Sequence, residues 1–76
     1  MKQNLLQTAF TLVEEKAKSK EVFFRSELMT ELLIEARSLY AWSSINSTLD
    51  HALIIAVKQG RIKRISRGIY VNAKNN

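Results

Sequence analysis

The chain has 76 residues, with 12 Lys and Arg against 7 Asp and Glu for a net charge of +5, and no Cys or Pro. A chain this short removes only about 60% of its unfolded surface from water on folding, so one domain is expected, with little room for a catalytic cleft beside its core. The lack of Cys excludes disulfides and thiolate metal sites, and the 46% hydrophobic content is too high for disorder, which favours a compact helical domain in a reducing, cytoplasmic setting.

Across residues 4–19, Leu5, Leu6, Ala9, Phe10, Leu12, Val13 and Ala17 recur at spacings of three and four, opposite Glu14, Glu15, Lys16 and Lys18. That is the period of an amphipathic helix. The leading Met1-Lys2-Gln3-Asn4 runs into this segment rather than into a signal sequence, and no apolar run nears the ~18 residues of a membrane span. Val22, Phe23 and Phe24 form a short β-prone patch, too brief to stand alone but able to pair with a hairpin as the third strand of a small sheet.

Ser26 predicts the N-cap of a second helix over 27–37, because its hydroxyl can accept from the amides of the next turn and Glu27 suits the positive end of the helix dipole. Leu28, Met29, Leu32, Leu33 and Ala36 supply the buried stripe of this helix, and Arg37 suits its C-terminal end. Residues 38–43 then read as a connector, in which Tyr40 and Trp42 fill the core or face a partner.

Ser43 or Ser44 caps a third helix over 44–59, where Ile45, Leu49, Ala52, Leu53, Ala56 and Val57 fall in one apolar stripe. Ile54 and Ile55, if neither reaches the core, become part of an interaction surface. Lys58 lies in the last turn and Gly60 suits the left-handed conformation that ends a helix.

A hairpin over 61–72 follows at once, with a tail at 73–76. Ser66-Arg67-Gly68 reads as a three-residue connection needing positive φ at Gly68. Ile69 and Val71 share one face, with Tyr70 on the other and its hydroxyl at the sheet edge. Ile62 and Ile65, three apart, face opposite sides unless a bulge intervenes.

The charge is divided unevenly. Residues 1–40 hold Lys2, Lys16, Lys18, Lys20, Arg25 and Arg37 against Glu14, Glu15, Glu21, Glu27, Glu31 and Glu35, and sum to zero. Residues 41–76 hold Lys58, Arg61, Lys63, Arg64, Arg67 and Lys74 against Asp50 alone. The whole net charge therefore resides in the second half, which suggests a polyanionic partner met by one surface.

Helix, short strand, helix, helix, hairpin is the α+β element order of a winged helix. The run 24–71, with STLDHALIIAVKQGRIKRISRGIYV at 47–71 and its closing Arg67-Gly68-Ile69-Tyr70, resembles the small winged-helix domain of abortive-infection type IV antitoxins and related bacterial transcriptional regulators. That resemblance implies sequence-specific binding of double-stranded DNA and autoregulation of transcription, usually with an effector domain attached. The sequence ends shortly after the hairpin, so only the DNA-binding role carries over.

In such an arrangement the third helix enters the major groove while basic groups hold the phosphates. Ser43, Ser44, Ser47, Thr48 and His51 are the polar candidates for base contact, with Asn46 on the flank of the apolar stripe. Each also has a plainer reading as a cap or as solvated surface. Lys58, Arg61, Lys63, Arg64 and Arg67 are the candidates for backbone or minor-groove contact, and Arg67 marks the hairpin tip. So few cations give a monomer modest affinity, which points to a homodimer or a larger assembly on DNA.

No cofactor, metal or small-molecule ligand is implied, since His51 is the sole histidine. Ser47, Asp50 and His51 supply hydrolase residue types, but neighbours on a helix diverge by about 100° and cannot align as a triad, so no enzyme is expected. The main rival is a protein-interaction winged helix whose basic hairpin binds an acidic protein surface. RNA binding ranks third. Membrane-surface binding ranks last, because Glu14 and Glu15 interrupt the first helix's polar face.

Overall fold

The computed structural model describes residues 4–73. Met1, Lys2 and Gln3, expected to lead into the first helix rather than into a signal sequence, and most of the expected tail, at 74–76, lie outside the described residues. The chain is α+β, in the order α1 (Leu5–Ser19), β1 (Val22–Phe24), α2 (Arg25–Ala36), α3 (Trp42–Lys58), β2 (Ile62–Ser66) and β3 (Ile69–Asn72). The strands form one antiparallel sheet in the order β1-β3-β2. Among the described residues no helix is long and apolar enough to cross a membrane.

α1 begins on a reciprocal cap. The Asn4 Oδ1 accepts from the Gln7 amide at 2.8 Å, and the Gln7 Oε1 accepts from the Asn4 amide at 3.2 Å. Both satisfy donors that the first turn leaves open.

α2 starts two residues before the expected 27–37, and Ser26 is not its cap. Phe24 holds the N-cap position, and its backbone N–H donates to the Glu27 carboxylate at 3.0 Å. The Ser26 carbonyl instead accepts from the Thr30 hydroxyl within the helix. The strand β1 thus runs straight into α2, with the carboxylate three residues on supplying the local polar contact.

α3 likewise begins early. Ala41, in an extended conformation, is its N-cap, so Trp42, Ser43 and Ser44 form its first turn and neither serine caps it. Its end is as expected: Gly60 follows the helix at φ 76°.

The helices bury the faces their periodicity marks. Leu5, Ala9, Leu12, Val13 and Ala17 of α1, Leu28, Met29, Leu32 and Ala36 of α2, and Ile45, Leu49, Ala52, Leu53 and Ala56 of α3 form one core. Leu33 is only partly buried and Val57 is exposed, so both fall at the margins of their stripes. The core does not include Trp42, 61% exposed, or Tyr40, 40% exposed. Of the two expectations for this pair, core filling is overturned, because Tyr40 lies in the exposed connector after α2 and Trp42 in the exposed first turn of α3.

The sheet closes the core with Phe23, Tyr70 and Ile62. Phe23 pairs with Tyr70 across β1 and β3, and their rings stack at 6.1 Å with 20° between planes. Paired residues of an antiparallel sheet share a face, so Arg64, opposite Tyr70, points to the helix side. Lys63, opposite Val71, points to the outer side.

A register shift lies between Arg64 and Ser66, so a bulge is present, yet Ile62 is buried and Ile65 exposed. The bulge leaves Ser66 paired with Ile69, and the connection is the two residues Arg67 and Gly68 rather than three. Gly68 has the expected positive φ, 75°.

Candidate nucleic-acid interface

α3 presents two polar flanks around its buried stripe. On one, Ser47, Thr48 and His51 line a shallow depression beside Leu6 of α1. On the other, Asn46, Asp50 and Ile54 face the hairpin across a cleft whose far wall carries Arg64 and Arg67. Ser43 and Ser44 are exposed in the first turn, where among the described residues no side chain caps the helix.

Arg25 is a member of this cleft that sequence reasoning missed. It stands at the start of α2, and its backbone N–H donates to the Gly68 carbonyl at 2.9 Å, which ties α2 to the hairpin turn. Its guanidinium reaches α3: Nε donates to Asp50 Oδ1 at 2.8 Å, and Nη2 donates to Asn46 Oδ1 at 2.6 Å and to the Asn46 carbonyl at 3.2 Å. One residue therefore fixes α2, α3 and the hairpin relative to one another. Its sequence signal was weak, because Arg25 lies in the charge-neutral half of the chain. The Asn46 side chain is correspondingly committed to Arg25.

The basic candidates separate into groups. Arg61 precedes β2 and pairs with Glu14 of α1, so its charge is compensated. Lys58, Lys63, Arg64 and Arg67 are exposed and form no ion pair among the described residues. Arg64 and Arg67 face α3 across the cleft, whereas Lys63 lies on the outer sheet face beside Val71 and Val22. Ile54 is exposed at the cleft and Ile55 is partly buried, so of these two only Ile54 is open apolar surface.

The remaining ion pairs fasten α1 and its end to α2. Lys16 pairs with Glu31, and that hydrogen bond raises the lysine's affinity for its proton against the opposing effect of desolvation. Lys20 pairs with Glu27 at 2.7 Å, and this contact, with the Phe24 amide, holds the Glu27 carboxyl below the usual glutamate range. These acids are thereby neutralised away from the cleft.

Comparison of the chain with protein-family models, with curated proteins and with solved structures returned no match.

Proposed function

We propose that the chain is a winged-helix domain that binds double-stranded DNA as a small transcriptional regulator, with α3 as the recognition helix and β2–β3 as the wing. The observation that carries this reading is the cleft between α3 and the hairpin, where, among the described residues, Arg25, Arg64 and Arg67 face a single carboxylate, Asp50. Three guanidiniums on two walls suit a phosphate backbone running between helix and hairpin. Ser43, Ser44, Ser47 and His51 then lie on the exposed side of α3, where short polar groups can reach base edges.

A second reading, in which the hairpin binds a protein, is favoured by the outer sheet face. Val22 and Phe24 are exposed there beside Lys63.

Titration of the protein with random duplex DNA over a salt series tests the first reading. Binding should weaken with salt along a log-log slope of roughly 0.9 per phosphate contact. Salt-independent binding, or none at low salt, removes the DNA reading in favour of the protein partner. If duplex binds, selection of bound sequences identifies the operator.

A further inference from the structure

Among the described residues Asp50 is the sole carboxylate lining the cleft, beside three guanidiniums. Its hold on Arg25 is one contact, Nε to Oδ1 at 2.8 Å, between a side chain 53% exposed on Asp50 and one 25% exposed on Arg25. Asn46 grips the same guanidinium through Nη2 with two acceptors, and the Nη1 donors make no hydrogen bond among the described residues. Asn46 thus orients Arg25, while Asp50 covers only part of its donor surface.

We propose that Asp50 stands in for a DNA phosphate. In the free protein its carboxylate caps Arg25, and on duplex DNA a backbone phosphate takes its place, joining Arg25 to Arg64 and Arg67. This rests on the reading of the cleft as DNA-facing. The exchange is cheap, because the Asp50 end of the pair is exposed and turns into water without being stranded, while Asn46 keeps its hold on the part-buried Arg25. It is also driven: a phosphate entering between Arg25, Arg64 and Arg67 repels the Asp50 carboxylate and offers oxygens to donors that Asp50 leaves open. Until that exchange, Asp50 lowers the positive potential of the cleft and holds back non-specific binding.

The test is binding of the full chain to random duplex DNA, read by fluorescence anisotropy at several salt concentrations. The variants are Asp50→Asn, Arg25→Gln and the double variant, with folding followed by circular dichroism and the uncharged Arg25→Met as a second background should Arg25→Gln unfold. Asp50→Asn keeps the acceptor oxygen and should bind roughly two- to fivefold tighter, the strength of an exposed ion pair. That gain should vanish when Arg25 is replaced. Unchanged or weaker binding by Asp50→Asn makes the pair a fixed strut and overturns the exchange. A gain that persists without Arg25 reduces Asp50 to a general charge effect and also overturns it. Absence of duplex binding by the unaltered chain is a separate result, which removes the DNA reading and this exchange with it.

Discussion

Arg61 and Glu14, 47 positions apart, form an ion pair that ties the approach to the hairpin onto α1. The pair divides the basic residues of the second half by role. If DNA binds as proposed, Arg61→Gln should leave the salt dependence of binding unchanged, because Arg61 lies outside the cleft, held against α1 by Glu14. Arg64→Gln and Arg67→Gln should each lower the log-log slope by about 0.9, one phosphate contact apiece. Arg61→Gln should instead cost ~0.2–1 kcal/mol of stability, the range for a pair with both side chains more than a third exposed. Salt titrations of the three variants beside urea melts check both halves. A slope loss at Arg61 equal to that at Arg67 would contradict the division.

Phe23 and Phe24 are adjacent and identical in type but should respond in opposite ways. Phe23 is fully buried against Tyr70, whereas Phe24 is 46% exposed on the outer sheet face. Phe23→Ala should destabilise the fold by about 3–5 kcal/mol, enough to unfold much of a small domain. Phe24→Ala should cost far less, because little apolar area leaves the core. Urea denaturation with a constant m-value for both variants makes the comparison, and equal losses would place the strand in the wrong register.

Helical periodicity was legible wherever a helix buries a broad stripe, so α1, α3 and the order of elements followed from Leu5 to Ala17 and from Ile45 to Ala56. Helix starts were not. Ser26, Ser43 and Ser44 have good capping chemistry, but β1 leads directly into α2 and Ala41 is already extended, so chain direction decided where each helix began. Total charge was legible while its pairing was not. Glu14 with Arg61 and Arg25 with Asp50 join residues far apart in sequence, and no local pattern announces them. The face of each hairpin cation was hidden for a related reason: it depends on a register that the bulge at Ile65 shifts.

Gly60 and Gly68 should both resist substitution for backbone reasons alone. Their φ values are 76° and 75°, and an added Cβ at either would meet nothing within 4 Å. Gly60→Ala and Gly68→Ala should each cost roughly 1–2 kcal/mol, the penalty of an L-residue in the left-handed region. Gly→Asn at the same sites should cost less, since asparagine tolerates that conformation better. Thermal melts of the four variants test this ordering. Equal losses for Ala and Asn would point to a steric cause that the open space at both sites does not supply.

Glu27 predicts a weakening of the fold in acid. Its carboxyl is held below the usual range by the hydrogen bond from Lys20, and next by the Phe24 amide. A lowered folded-state value means that the folded form favours the ionised carboxylate. The resulting stability is fully present above the ordinary glutamate value of about 4.3 and is lost as pH falls through the lowered one. Lys16 works in the opposite sense. Glu31 raises its value, so its contribution is complete below the ordinary lysine value of about 10.4 and fades only as pH rises through the raised one. Stability should therefore be flat with respect to both groups near neutrality. Melting temperatures of the unaltered chain and Glu27→Gln, compared across an acid series, should differ at pH 7 and converge once Glu27 is protonated. Because Glu27 is solvent-accessible and salt screens its partner, the difference at pH 7 should also shrink in high salt. A gap between the two chains that persists unchanged in acid would assign the effect of Glu27→Gln to the shape of the side chain rather than to its charge.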